Sequence, residues 1–402
     1  MGRRRLVVCL DGTWNNPERA RSAAGNARFK PTNVLKIYRA VRPLAADGTS
    51  QIASYQEGVG AFVGEPTRFG RLQQWSDRLF GGLFGGGFES RVKSAYRFLV
   101  GNYQRGDEIY LFGFSRGAAQ ARSLARFVSW TGGLLAKRDE YYIPELFDAF
   151  RRSRARPGAA ATAFASIRGR RQDPDENAIG DPAPVEIAFL GVFDTVLSLG
   201  PRLRADRLEG EIGTVERKNS FHVGTTPPEI VRIARQALAL DERRWDYRPQ
   251  IWAGPGGPEQ SLEQRWFPGA HSNVGGGYAR DGLANFALYW MVAEARRAGL
   301  ELDADYLAHF RPNPRGHRPD ELAGIHLLGE VLRGKLGRGR REIESPDGAR
   351  VGLDPSLLRV LLEDPSYRPE PLLAALRRAP EAARGLSGPD RERLDRALRR
   401  PD

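Results

Sequence analysis

A serine between two glycines follows a short apolar run, and this arrangement constrains the fold more than any other feature of the chain. Ile109 to Phe114 is almost wholly hydrophobic, as expected of a strand buried on both faces of a parallel sheet. Residues 113–117 read Gly-Phe-Ser-Arg-Gly, and the helix-forming segment AAQARSLARFV follows them. Strand, tight turn and helix form the context in which G-x-S-x-G is a nucleophile elbow. The sequence therefore predicts that Ser115 projects from the end of a strand in an α/β fold. The alternative is a plain strand–helix turn.

A serine nucleophile needs a base, and the chain contains five histidines. His271 follows a short aromatic strand, Arg265 to Phe267, and precedes three consecutive glycines. It is therefore expected on a loop at the end of that strand, where a base could approach the serine. The alternative is a turn histidine that caps the next helix. The other histidines lie in a Pro/Arg-rich loop, in apolar-periodic segments, or in a segment without a glycine-rich turn, and are weaker candidates: His317, His309, His326 and His222.

The base needs an acid to orient it, and the best candidate closes another apolar run. Val185 to Phe193 predicts a buried strand, and Asp194 comes where that strand should end. An ionised aspartate beside a hydrophobic strand is costly unless it is paired, and a histidine N–H would pair it. The alternative is that Asp194 caps the following turn. Weaker candidates, because none ends a strongly apolar strand, are Asp241, Asp246 and Asp281. The chain order Ser115, Asp194, His271 is the order that α/β-hydrolases use.

Backbone N–H donors for an oxyanion are expected from the first turn of the chain. Leu6 to Leu10 predicts a short buried strand, and the polar turn DGTWN follows it directly. If that strand neighbours the nucleophile strand, a backbone N–H of Gly12 or Thr13 could join that of Arg116 in an oxyanion hole. Asp11 is expected either to organise this turn or to take a direct part in catalysis.

Five blocks of the chain resemble, in order, the signature segments of a bacterial and fungal α/β-hydrolase family. They are LVVCLDGTWNN, GDEIYLFGFSRGAAQARSLA, FLGVFDTV, ALALDERRW and RWFPGAHSNVGGGY, and they run from residue 5 to about residue 300. That family includes the catalytic domain of type VI secretion phospholipase effectors. The resemblance implies Ser115 as nucleophile, Asp194 as acid and His271 as base. It implies a serine hydrolase that forms an acyl-enzyme, a phospholipid or other ester as substrate, and a secretion-machinery or immunity protein as partner.

The chain departs from the family pattern at three positions. Asn273 and Asn285 stand where the family tends to have Asp, and Gln236 stands where it usually has His. None of these changes removes a triad member. A loss of charge near His271 nevertheless leaves a catalytically silent binding module as one alternative function. The other alternative is a soluble carboxylesterase that acts on a small ester with the same triad.

Composition bears on partners and compartment. The net charge is +13, with only six lysines among 62 basic residues, and a basic surface attracts anionic membranes. No nucleic-acid-binding signature accompanies the charge, so nucleic acid is not an expected partner. The basic clusters RRSRARPG and RGKLGRGRRE are predicted to be solvated. No metal or cofactor is required by the predicted chemistry, and the single cysteine, Cys9, is read as a small buried hydrophobe.

The sequence predicts neither a membrane span nor a cleavable export signal. No apolar run approaches the ~20 residues of a membrane span, and the five-residue run near the start is shorter than the ~7 residues of a secretory signal. We expect a protein that is cytoplasmic as synthesised, with any export through a system that reads no cleavable signal.

The predicted organisation is one α/β-hydrolase-like domain with a predominantly parallel sheet flanked by helices. Residues 1–302 form the predicted catalytic domain, with an insertion at about 151–182 that is rich in Arg, Ala, Gly and Pro. Residues 303–402 are predicted as a helical C-terminal region packed on the same domain. The Gly/Phe-rich segment 79–88 lacks G-K-[ST] and is not predicted to bind nucleotide. It is expected to be either a flap near the site or a tightly packed glycine turn.

Overall fold

The structure is a computed structural model. It describes residues 3–12, 29–58, 86–170, 178–197, 222–321, 330–331, 337, 339–343, 351–379 and 387–399.

A parallel sheet of seven strands, counted over the described residues, forms the centre of the fold. The strands lie side by side in the order β3 (Gln51–Gln56), β1 (Arg5–Leu10), β4 (Glu108–Phe114), β5 (Ile187–Phe193), β6 (Val231–Ala239), β7 (Ser261–Phe267) and β9 (Val351–Leu353). A separate antiparallel pair joins β2 (Phe29–Thr32) to β8 (Gly276–Tyr278). The predominantly parallel sheet is confirmed, and the predicted nucleophile strand is central, between β1 and β5.

Helices cover both faces of the sheet. They are α1 (Asn33–Ala40), α2 (Gly86–Asn102), α3 (Arg116–Thr131), α4 (Ile143–Ser153), α5 (Ala159–Gly169), α6 (His271–Gly275), α7 (Ala284–Arg297), α8 (Ala304–Leu307), α9 (Pro355–Glu363), α10 (Glu370–Arg378) and α11 (Gly388–Arg399). Among the described residues, 3₁₀ turns span Lys137–Tyr142 and Trp245–Tyr247. No helix in the described ranges is long and apolar enough to span a bilayer.

The hydrophobic cores on the two faces of the sheet follow from the alternation of side chains along buried strands. In β1, Leu6 and Val8 pack with α2, α3 and α4 on one face, while Val7 and Cys9 pack with α1 and α7 on the other. Because both faces are covered, the strand can be apolar throughout, which is what made it recognisable in the sequence. Cys9 is buried as expected, and burial raises the pKa of its thiol.

The C-terminal region is helical in α9, α10 and α11, as predicted, and also adds a strand that the sequence did not indicate. Val351–Leu353 pairs with Gln264–Trp266 of β7 and extends the sheet. The three helices bury leucines against Trp266 and Leu238, so this region shares a core with β6 and β7. The boundary between residues 302 and 303 stays a prediction.

The predicted insertion and the Gly/Phe-rich segment lie partly in the described chain. Residues 151–182 include the end of α4 and all of α5, whose Phe164 and Ile167 are buried. Residues 171–177 lie outside the described residues. Of the segment 79–88, residues 79–85 also lie outside, while Phe88 is buried at the start of α2. The choice between flap and packed turn stays a prediction.

Candidate active site

Ser115 occupies a strained turn between β4 and α3. Its backbone has φ 58° and ψ −122°, a conformation that residues with a side chain rarely adopt. The amide of Ser115 donates to the carbonyl oxygen of Phe193 at 3.0 Å, which anchors the turn to the neighbouring strand β5. A strained serine at the carboxyl end of a central strand, directly before a helix, has the local geometry of a nucleophile elbow.

The glycines on either side of Ser115 are required by close backbone contacts. A Cβ on Gly113 would lie 2.5 Å from the carbonyl oxygen of Gly117 in α3. A Cβ on Gly117 would overlap the carbonyl oxygen of Leu10 in β1. Backbone atoms of a sheet and a helix cannot move aside cheaply, so only glycine fits at either position.

Asp194 and His271 meet at the same edge of the sheet as Ser115. Asp194 directly follows β5, and His271 is the first residue of α6, shortly after β7. The Nδ1 atom of His271 lies 2.6 Å from Oδ2 of Asp194, and both side chains are buried. The ring of Phe114, which precedes Ser115, lies 4.7 Å from the imidazole of His271 between centroids. The predicted acid and base are therefore in contact, beside the serine turn.

The Nε2 atom of His271 faces away from Asp194. It is buried and makes no hydrogen bond among the described residues, so no bond to Ser115 is present in this structure. A carboxylate on Nδ1 favours the tautomer whose proton is on that nitrogen, which leaves Nε2 as the proton acceptor. The described part of the chain brings no three His, Cys, Asp or Glu side chains close enough together to hold a metal ion.

Asp194 is completely buried, and each of its oxygens accepts two hydrogen bonds. Oδ1 accepts from the amide of Ala239 at 3.0 Å and from Nη1 of Arg341 at 2.5 Å. Oδ2 is bonded to His271 and to Nη2 of Arg341 at 2.9 Å. Burial acts to raise the pKa of Asp194, but Arg341 and then His271 outweigh it, so the pKa lies below its ordinary value. These bonds are not those of a turn cap, the alternative considered for Asp194.

Arg341 was missed by sequence reasoning. It lies in the cluster RGKLGRGRRE, which was expected to be solvated, yet Arg341 is only 5% exposed. That expectation is wrong for Arg341, because the arginine is paired with a buried carboxylate that follows a distant strand. The adjacent Arg340 is exposed, as expected.

Glu242 and Tyr247 also contact His271 and were not predicted. Oε2 of Glu242 accepts from the backbone amide of His271 at 3.3 Å, and its carboxylate is paired with Arg244 at 2.7 Å. Burial acts to raise the pKa of Glu242, but Arg244 outweighs it and lowers the pKa to about 2. The ring of Tyr247 meets the imidazole edge-on, with centroids 5.0 Å apart. Both residues lie in or just after the block ALALDERRW, where the only signal was a resemblance that assigned them no role.

Gly12, two residues after β1, lies directly against Ser115. A Cβ on Gly12 would come within 3.1 Å of Cβ of Ser115. The amide of Gly12 donates to Oδ1 of Asp11 at 2.6 Å, and Oδ2 of Asp11 accepts from Thr32 and Tyr55. Asp11 therefore organises this turn, which is one of the two roles expected for it.

The predicted oxyanion donors differ in how the structure places them. Arg116 opens α3 immediately after Ser115. Gly12 is beside the serine, but its amide is directed at Asp11. Thr13 lies outside the described residues.

The three departures from the family pattern take part in hydrogen bonds. Asn285 accepts from the buried ammonium of Lys36 at 2.8 Å, and Gln236 donates to Oε1 of Gln264 at 2.9 Å. Asn273 accepts from the backbone amide of Ala270 and donates to the backbone carbonyl of His317. These neutral side chains serve buried polar groups and do not replace the contact between Asp194 and His271.

The weaker aspartate candidates bond to other groups. Asp281 is paired with Lys36 at 2.8 Å. Asp241 accepts from the amide of Gly269 at 2.6 Å, and burial raises its pKa to about 6. Asp246 lies inside the 3₁₀ turn Trp245–Tyr247. Of the weaker histidines, His309 and His317 are exposed and His326 lies outside the described residues.

His222 is buried beside a second serine. Its Nδ1 lies 2.9 Å from Oγ of Ser123 in α3, and its ring packs against Phe88 and Phe147. Burial, and then the charges of nearby arginines, lowers the pKa of His222 to about 3. The folded chain therefore keeps this histidine neutral where an unfolded chain would charge it.

We expect His222 to make the stability depend on pH. Because the pKa falls from 6.5 to about 3 on folding, the unfolded chain binds a proton in that window that the folded chain does not. The free energy of unfolding should thus decrease as the pH is lowered through this window. This group contributes a loss of up to ~1.4 kcal/mol for each pH unit. The double variant His222→Phe, Ser123→Ala keeps an aromatic ring at position 222 but has no imidazole that can bind a proton. Urea unfolding at pH 7, 5 and 4 should show a smaller loss in the variant, and an equal loss would contradict the assignment.

Comparisons with known proteins place the chain in a family. A family model described as T6SS (type VI secretion system), Phospholipase effector Tle1-like, catalytic domain matches residues 4–294. The uncharacterized protein YEL023C of Saccharomyces cerevisiae is 29% identical over 250 residues, which are 60% of this chain. The match spans only 32% of that relative's length.

Two solved structures are similar at low identity. The Tle1 effector bound to the VgrG spike is 16% identical, with a TM-score of 0.42 over 83% of this chain and 81% of that one. An uncharacterized protein from Pseudomonas aeruginosa is 17% identical, with a TM-score of 0.40 over 98% of this chain and 62% of that one. The family model covers most of the chain, and the chain belongs to the T6SS Tle1-like phospholipase effector family, through its catalytic domain.

Proposed function

We propose that the chain is a serine hydrolase that cleaves carboxylic ester bonds of phospholipids as an effector of type VI secretion. The observation that carries the proposal is the buried pair of Asp194 and His271 beside the strained Ser115 turn, at one edge of the sheet. The pair and the turn together offer a nucleophile, a base and an ionised acid. The phospholipid substrate and the secretion-machinery partner rest on the family alone.

The proposed reaction proceeds through an acyl-enzyme. Oγ of Ser115 attacks the acyl carbon while Nε2 of His271 accepts the serine proton and then delivers it to the departing alcohol. Water, activated by the same nitrogen, hydrolyses the acyl-enzyme and releases the fatty acid. Asp194 holds the imidazole with its other proton on Nδ1. The Ser115–His271 hydrogen bond is not formed in this structure, and the reaction steps do not require it beforehand. Such bonds are often long until substrate binds.

Backbone amides would stabilise the oxyanion that forms during attack. The amide of Arg116 is the first of α3, where the positive end of the helix dipole also favours negative charge. A second donor would come from Gly12, which lies against Ser115, or from Thr13, as the sequence predicts. For Gly12 to serve, its amide would have to turn away from Asp11.

An anionic membrane surface is the proposed setting of the reaction. The net charge of +13 would draw the chain to anionic headgroups through long-range attraction. The attraction is weakened by salt, so binding to anionic vesicles should fall as ionic strength rises.

Hydrolysis of a short-chain phospholipid below and above its micelle-forming concentration tests the proposal. We expect the wild-type chain to hydrolyse it, with a rate that rises sharply when monomers become micelles, and to be labelled at Ser115 by a fluorophosphonate. Labelling with turnover of small soluble esters only, and no rise at the micelle threshold, would favour the soluble carboxylesterase. A folded chain that is not labelled would be the catalytically silent binding module.

A further inference from the structure

We infer that Arg341 is a positioning residue of this site, which fixes the Asp194 carboxylate so that His271 is held in its working orientation. The inference rests on the proposed function, because it concerns the same hydrolysis. Arg341 lies beyond residue 294, where the match to the family's catalytic domain ends. The C-terminal region would thus supply part of the active site rather than only packing against it.

The guanidinium of Arg341 grips Asp194 with both terminal nitrogens. Nη1 and Nη2 donate to separate oxygens of Asp194 at 2.5 and 2.9 Å. The same two nitrogens donate to the carbonyl oxygens of Ala239 and Tyr247, each at 2.6 Å. Only arginine presents such a planar fork, which fixes the plane of a carboxylate as well as its position. Arg341 therefore ties the residue after β5 to the end of β6 and to the 3₁₀ turn Trp245–Tyr247.

Two of the groups that contact the imidazole of His271 are bonded to Arg341. Oδ2 of Asp194 is shared between Nδ1 of His271 at 2.6 Å and Nη2 of Arg341. Tyr247, whose carbonyl accepts from Arg341, packs its ring edge-on against the imidazole. If Arg341 were removed, the carboxylate could rotate and the tyrosine turn could shift. Either movement would release the imidazole of His271 from its present orientation.

Arg341 also sets the charge around the acid–base pair. Its cation offsets the buried carboxylate of Asp194 and lowers the pKa of that carboxyl. The other cation near the pair in the described part of the chain, Arg244, cannot take its place, because it already forms an ion pair with Glu242. Loss of Arg341 should therefore raise the pKa of Asp194, so that the carboxylate that orients His271 is protonated at a higher pH. Among the described residues, the charged and titratable groups close to the pair are Arg341, Glu242, Arg244 and Tyr247. Arg341 also lowers the pKa of Asp241, and Arg116 of α3 acts on Tyr247.

Three variants test the inference. Arg341→Met keeps the length of the side chain without its charge, Arg341→Lys keeps the charge without the fork, and Arg340→Met changes the exposed neighbour as a matched control. For Arg341→Met we expect kcat to fall by about 10²-fold, as for a small misplacement of a catalytic group, with KM little changed. The acid limb of its kcat/KM profile should move to higher pH. Arg341→Lys should recover the pH profile but only part of kcat, and Arg340→Met should match the wild type.

The outcomes separate this inference from the proposed function. A wild-type chain that a fluorophosphonate does not label at Ser115 would overturn both. A labelled wild type together with a folded Arg341→Met that keeps its kcat and pH profile would overturn the role of Arg341 alone. If Arg341→Met does not fold, Arg341→Lys decides, because wild-type kcat without the fork would also overturn the role. Folding is checked by circular dichroism at the assay temperature.

Discussion

Replacement of Ser115 by alanine is expected to lower kcat by about 10⁶-fold, as in serine hydrolases that lose their nucleophile. The chain should stay folded, because only a hydroxyl group is removed from the turn between β4 and α3. The strain of the turn resides in its backbone and is retained by alanine. Turnover of phospholipid micelles and fluorophosphonate labelling, located by mass spectrometry, measure the loss, and a circular-dichroism melt checks the fold.

A matched control lies in the helix that follows Ser115. Ser123 is buried in α3 and bonds to a histidine, His222, so Ser123→Ala should keep both the labelling and most of the activity. Substantial turnover in a folded Ser115→Ala chain would remove Ser115 from the mechanism.

His271→Ala should lose as much activity as Ser115→Ala, and the double variant little more, because triad members act as one unit. Losses that multiply would mean that His271 does not act on Ser115.

Strands that are buried on both faces could be predicted from the sequence because they are apolar throughout. The strands β1, β4 and β5 were recognised in this way, and their bounds differ from the structure by one or two residues. Strand β6 was not recognised, because Arg235 and Gln236 interrupt its apolar pattern. In the structure Arg235 is paired with Glu294 at 2.6 Å and Gln236 bonds to a neighbouring amide, so their burial depends on tertiary partners. The three residues of β9 are too few to show a period.

The same distinction explains which site residues were predicted. Ser115, Asp194 and His271 each stand just beyond a recognisable strand, and parallel strands bring their carboxyl ends to one edge. Arg341 does not follow such a strand. It reaches Asp194 across 147 positions of the chain, and its local sequence resembles an ordinary solvated basic segment. Glu242 likewise acts through a contact to the backbone of His271 that no local pattern encodes.

Asp194→Asn is expected to lower kcat by up to ~10⁴-fold, by analogy with the same change in a serine protease. Asparagine keeps the shape of the side chain but favours the wrong tautomer of His271. At a simple turn cap the same change would cost little stability, because Asn caps about as well as Asp. Here it removes the ionised partner of the buried Arg341, and breaking such a pair typically costs ~3–5 kcal/mol. Steady-state kinetics and urea unfolding measure the two effects separately.

The double variant Asp194→Asn, Arg341→Met distinguishes the effect of Asp194 on stability from its effect on catalysis. Because it removes the orphaned charge as well, it should be more stable than Asp194→Asn alone, yet no more active. A kcat within about threefold of the wild type for Asp194→Asn would be too small a loss for a triad acid. The acid would then have to be sought elsewhere, first at Glu242, whose carboxylate already accepts the amide of His271. Unchanged stability in Asp194→Asn would instead mean that the ion pair of Asp194 and Arg341 contributes little to the free energy of unfolding. The backbone carbonyls of Ala239 and Tyr247 would then suffice to hold the guanidinium.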